Sequence, residues 1–142
     1  MMADVKSPAG FVPQYAVAFG AVDAPAVAVH GGNPLPVRAV MPASSATVLA
    51  GALAVSGTAG PFVPELGRPI IASLSGNWTG SVEVRRSVDG GATKLPLTVA
   101  GEPWARFTTT ANEAVAVENE AGATYYLVAT LTTGALTYRV AQ

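Results

Sequence analysis

The stretch Ser87-Val88-Asp89-Gly90-Gly91-Ala92-Thr93-Lys94 limits what this chain can fold into more than any other. Ser81-Val82-Glu83-Val84-Arg85 runs into it and Leu95-Pro96-Leu97-Thr98-Val99 runs out of it, each alternating apolar with polar residues. A pleated strand turns successive side chains to opposite faces, so two such runs joined by Asp-Gly-Gly predict a β-hairpin. Asp89 can bond its own backbone further along the turn.

The pattern continues on both sides of the hairpin. Strand-like runs occur at 70–74, 81–88, 95–99, 105–110, 114–118, 124–131 and 136–140. Turn signals separate them: Ser75-Gly76-Asn77, Ala100-Gly101-Glu102-Pro103, Thr110-Ala111-Asn112, Glu120-Ala121-Gly122 and Thr132-Thr133-Gly134. No helical period is present. Short strands at this spacing predict an all-β fold, an antiparallel β-sandwich of about seven strands. Val82, Val84 and Val88 share one face, and Arg86 falls on that same apolar face. There it lies at a bulge or reaches past the sheet end with its stem buried. Val115 and Val117 are expected to point inward and Glu118 outward. In 124–131 both faces are apolar, as in a strand covered on both sides.

The chain before Gly67 differs in composition. Eight of the eleven prolines lie between Met1 and Leu66, where only Asp4, Lys6, Asp23, Arg38 and Glu65 are charged. Frequent proline forbids long helices and removes ladder donors from strands. So little charge, among many Val, Ala and Leu residues, argues against a free disordered tail. The expectation is an extended proline-rich arm over 1–66, carrying short strands at 15–22, 26–30, 35–40 and 47–55. The sandwich then occupies 67–142. The arm would lie along other protein and add strands to a neighbour's sheet. Its assembly face would be Leu35, Val37, Val40, Val48, Leu49, Leu53, Val55 and Phe62. The other reading makes these residues the first strands of one intramolecular barrel or sandwich.

Only 12% of the 142 residues are charged, about half the usual share of roughly 25%. Low charge with a net charge of −1 favours self-association and gives no footprint for nucleic acid or an anionic membrane. Without cysteine there is no disulfide framework, thiolate zinc site or Cys nucleophile. The start lacks the basic and apolar regions of a signal peptide, and the apolar window 46–55 is too short for a bilayer. The expectation is a soluble protein made in the cytoplasm and not exported by the general secretory route.

No catalytic constellation emerges. A Ser-His-Asp triad would need His30, the only histidine, which sits beside Gly31-Gly32, and no Gly-x-Ser-x-Gly elbow surrounds a serine. The 89–94 turn lacks P-loop spacing. Glu113, Glu118 and Glu120 are the candidates for paired carboxylates, but Glu118 and Glu120 run into a turn and read as a solvated rim, and no loop gathers the acidic oxygens calcium needs. Catalytic residues, cofactor and metal are therefore all expected to be absent. Trp78 and Trp104 are read first as core, giving their N–H to a carbonyl, and second as platforms for sugar rings.

Two resemblances add to this reading. Ser87-x-Asp89-x-Gly91-x-Thr93 is similar to the Asp-box hairpin of sialidases and other β-propellers, with Lys94 where that family has Trp. The resemblance implies a structural turn and carries no activity, and one copy makes no propeller. The run from Arg68 to Gly91, the ending 125–140 and the lead-in Asn33-Pro34-Leu35-Pro36-Val37 resemble small β-sandwich proteins encoded among the structural genes of tailed phages and prophages. That resemblance implies a virion component, a head decoration or accessory capsid protein anchored by its arm. A fibre, neck or tail module binding host carbohydrate is the alternative. It further implies major capsid or other virion proteins as partners and a homo-oligomer, a trimer among the options.

Overall fold

The computed structural model describes residues 18–20, 23, 25, 27–32, 34–38 and 40–142. The chain forms two compact units, Met1–Pro42 and Ala43–Gln142. The expected boundary at Leu66/Gly67 is thereby corrected, because the strands between Leu49 and Phe62 are built into the sheet of the second unit. Their Leu and Phe side chains find cover within the chain itself.

Among the described residues of the first unit, β1 (Ala18–Phe19) pairs antiparallel with β2 (Val27–Ala28). Residues 34–38 and 40 have no regular structure. Pro34 and Pro36 lack ladder donors, and Pro36 disfavours the helical region at Leu35. The expected runs at 15–22, 26–30 and 35–40 each lie partly outside the described residues.

The second unit is all-β and antiparallel. Its strands are β3 (Leu49–Leu53), β4 (Gly57–Phe62), β5 (Pro69–Ser87), β6 (Leu95–Pro96), β7 (Thr98–Val99), β8 (Glu102–Pro103), β9 (Arg106–Phe107), β10 (Ala111–Val117) and β11 (Thr124–Ala141). β7 and β8 form a separate ribbon. The remaining seven strands make one sheet around β5 and β11, which pair from Thr124↔Ser87 to Ala141↔Ile71.

The sheet folds back on itself. A strand of 19 residues would span about 60 Å if straight. Yet Arg86, near the end of β5, reaches Glu118, which follows Val117, the partner of Pro69 at the start of β5. The neighbours also change along the way. The first part of β5 and the last part of β11 are flanked by β10 and β3. The last part of β5 and the first part of β11 are flanked by β6, β9 and β4. The result is two layers sharing two continuous strands. Leu49 and Val140 from one layer meet Phe62, Val84, Tyr125 and Leu127 from the other.

Alternation explains the core. Ile70, Ala72, Leu74, Trp78, Val82 and Val84 all point inward from β5. In β11 the inward residues are Tyr125, Leu127 and Ala129, then Leu136 and Val140. Their parity changes because the register with β5 slips between Leu131 and Thr133, and a one-residue slip exchanges the two faces of a strand. The expected turns at 75–77 and 132–134 are thus bends inside single strands. At the bend Gly134 has φ 84°, and a Cβ there would run into the carbonyl of Asn77 on β5. Only glycine allows the two backbones to cross so closely.

Three side chains face other than expected. Val88 and Val117 are exposed, and Glu118 is buried. A register shift between Ala114 and Ala116 turns the end of β10 over.

Candidate functional site

The polar chemistry of the second unit gathers at the open end of the folded sheet, opposite the bend. Arg86 Nε donates to Glu118 Oε2 at 2.6 Å and Nη2 to Glu118 Oε1 at 3.0 Å, a two-pronged pair. The same Nη2 also donates to Glu120 Oε2 at 2.6 Å. Tyr125 Oη donates to Glu118 Oε2 at 2.9 Å, and the N–H groups of Asn119 and Glu120 donate to Glu118 Oε1 at 2.9 and 2.8 Å. The carboxylate of Glu118 is 4% exposed as a residue and fully engaged.

This setting orders the proton affinities. The Arg86 guanidinium holds the Glu118 carboxyl down at about 2, backed by the Glu120 and Asn119 amides and Tyr125 against the opposing effect of burial. Arg86 is pushed up by the same hydrogen bond, then by Glu120. Tyr125 is raised to about 12, by burial first and then by its bond to Glu118. All three keep their charge state through the neutral range, so the cluster is a clasp and not a proton relay. A second set of bonds lies between the strand ends. Gln142 Nε2 donates to the carbonyls of Glu65 and Arg68, each at 3.0 Å, and its Oε1 accepts from Glu65 N at 2.7 Å. Glu65 pairs with Arg68 at 2.6 Å and accepts from Ser45 Oγ and N. Its carboxyl is held below the usual range, chiefly by the Ser45 hydroxyl.

Beside the clasp stands the 87–94 turn. Ser87 Oγ donates to Asp89 Oδ1 at 2.7 Å and accepts from Gly91 N at 2.9 Å. Thr93 N donates to both Asp89 oxygens, at 2.9 and 3.0 Å. These bonds, Thr93 first and then Ser87, lower the Asp89 carboxyl to about 2. Lys94 Nζ donates to Gly91 O and stands 4.7 Å over the ring of Tyr126. The outer row of β11 is covered there, as its apolar character predicts.

A groove of about 240 Å³ opens beside the turn, with Val88, Leu95, Pro96 and Leu97 in its wall. Arg86 and Asp89 also line it, but both are spent on Glu118 and on Thr93 and Ser87. The groove offers shape and apolar contact with no uncommitted charge of its own. Among the described residues, no group of three His, Cys, Asp or Glu could hold a metal ion. His30 Nδ1 accepts from Gly32 N at 3.1 Å.

The residues expected to form an assembly face separate into two kinds. Leu35, Val37, Val40, Val48 and Val55 are exposed, Val37 at 82%. Leu49 and Leu53 pack against the core, and Phe62 is 1% exposed within it. Phe62 is therefore core and not interface, because its strand lies against β11 at Tyr125. Each tryptophan meets half of the core expectation. Trp78 fills the core, and its buried Nε1 has no hydrogen-bond partner. Trp104 is half out at 44%, yet its Nε1 donates to Val115 O at 2.8 Å. The expected rim of Glu118 and Glu120 is corrected as well, since Glu118 anchors the clasp. Arg86 on an apolar face is the one sequence signal near it, and a bulge or a buried stem meets that signal equally well.

The fold and site together define an antiparallel β-sandwich whose Arg86–Glu118 pair ties one layer to the other. No protein-family model, curated protein or solved structure matches the chain.

Proposed function

We propose that this protein is a structural component of a tailed-phage particle, a head decoration or accessory capsid protein held to the shell by the chain ahead of its sandwich. The observation that carries this reading is the exposure of Leu35, Val37, Val40, Met41 and Val48. Between Asp23 and Glu65 the only charge is Arg38. Water is a costly neighbour for so much apolar surface, and a protein surface of matching shape relieves that cost. The two prolines at 34 and 36 stiffen the segment and reduce the entropy lost on docking. The absence of uncommitted charge around the groove also suits a structural role.

The test is sedimentation with particles of the phage lineage that encodes the chain. The full chain is expected to pellet with undecorated heads. A Val37→Asp/Val40→Asp variant, folded by circular dichroism, should stay in the supernatant. A wild-type chain that never pellets would overturn the proposal.

A second reading rests on Trp104, whose ring is half exposed while its N–H is fixed on Val115 O. A ring held that way suits stacking on a sugar, as in a fibre or tail module binding host carbohydrate. Glycan-array binding lost in Trp104→Ala would favour it. Trp78 has no part in this, since its ring is core.

A further inference from the structure

Unpaired sheet edges invite pairing with another chain, and proteins blunt them with charge, proline, bulges or shortness. Nearly every edge of the seven-stranded sheet carries such a device. β10 has Glu113 and the register shift between Ala114 and Ala116. β6 and β9 are two residues each, one with Pro96 and the other with Arg106. β4 has Pro61 and a register shift opposite Tyr125–Leu127.

β3 has none of these. It pairs with β11 in unbroken register from Leu49↔Val140 to Leu53↔Leu136, and no described strand pairs with its other edge. Ala50, Gly51 and Ala52 are exposed. The sequence of β3 is Leu-Ala-Gly-Ala-Leu, which reads the same in both directions about Gly51. An antiparallel pair of two such strands on a two-fold axis sets Leu49 against Leu53, Ala50 against Ala52, and Gly51 against itself. No charged residue lies between Arg38 and Glu65 to repel a like copy. Gly51 has a further use: a Cβ there would lie 2.6 Å from Tyr138 Oη, so the Tyr138 side chain crosses over Gly51 toward the free edge.

We propose that β3 is a homodimerisation edge. Two copies of the chain join β3 to β3 about Gly51, making one continuous sheet across the two-fold axis. The occupant is a second copy because a palindromic strand places every residue opposite its like-sized counterpart. This dimer does not depend on the reading of the segment around Val37 as a shell anchor.

The register makes the test sharp. Ala50 and Ala52 are exposed on the outer face, so charges there leave the core alone. Ala50→Glu/Ala52→Glu opposes two pairs of like charges across the axis, and light scattering on the full chain should show dimer dissociation raised about tenfold or more. Ala50→Glu/Ala52→Lys opposes unlike charges and should restore the dimer. A wild-type chain that stays monomeric at about 100 μM, a concentration at which a micromolar dimer is formed, would overturn the proposal, as would a dimer indifferent to both variants. A second measurement needs no charged variant. The chain has no cysteine, so a mixture of Ala50→Cys and Ala52→Cys chains should oxidise to a mixed disulfide faster than either chain with itself. Equal rates would reject this register.

Discussion

At the bend, β5 and β11 turn together, and chain continuity alone brings the two layers face to face. At the open end, residues far apart in sequence must meet, and continuity does nothing for them. At the bend the contacts run through backbone and small residues, with Gly134 against Asn77 and Ser56 Oγ on the backbone of Leu131, while Trp78 turns into the core. The open end is built from long polar side chains, with Arg86, Glu118, Glu120 and Tyr125 on one side and Gln142 with Glu65 on another. A folded sheet needs room at its crease and a fastening at its mouth, and the residue types follow from that.

Removing the fastening should have the largest effect. Glu118→Ala leaves Arg86 with only the exposed Glu120 and leaves Tyr125 Oη without its acceptor. Loss of one partner of such a buried pair should cost about 4 kcal/mol in denaturant titration. The same residue sets the acid response. Its carboxyl falls from an ordinary 4.5 to about 2 in the folded chain. That stability is fully present above pH 4.5 and is lost as pH drops through 2, amounting to about 3 kcal/mol. Asp89, also held at about 2, loosens in the same window. Titrations at pH 5 and pH 2 should therefore differ strongly in the wild type and much less in Glu118→Ala. An unchanged acid slope in that variant would deny Glu118 its part in the fastening.

The crease comes next. Gly134→Ala must move backbone at a positive φ and should cost about 3 kcal/mol, with no change in acid slope. Equal pH dependence of wild type and variant is the expected sign that crease and mouth act independently. Ser56→Ala is the mildest change. It removes two hydrogen bonds, 2.9 and 3.2 Å, that bridge the gap between β3 and β4 to Leu131. Thermal unfolding should show a loss of about 1 kcal/mol.

Much of this molecule is legible in its residue order, unevenly so. The hairpin at 87–94 is readable because its bonds run within a few residues: Ser87 to Asp89 and Gly91, and Asp89 to Thr93. The inward face of Val82 and Val84 is readable because alternation is unbroken through 81–85. Glycine between two apolar runs is ambiguous, however, since the same Ser-Gly-Asn or Thr-Thr-Gly serves a turn or a bend. Hence two pairs of expected strands are two long ones. The clasp is not legible locally: Arg86 on an apolar face is equally met by a bulge or a buried stem, and nothing nearby identifies Glu118, 32 positions away, as its partner.

Alternation, turn chemistry and scarcity of charge are local or additive properties, so the amino-acid order alone determines an antiparallel all-β chain and the inward face of Val82 and Val84 in β5. Which strand flanks which is another matter. Leu49 and Phe62 carry the same apolar signature as Val37, and only the pairing of β3 and β4 with β11 takes the first two into the core while Val37 stays exposed. Burial depends on what the folded chain brings opposite a residue, and that is decided by long-range pairing about a crease that no short window of sequence contains.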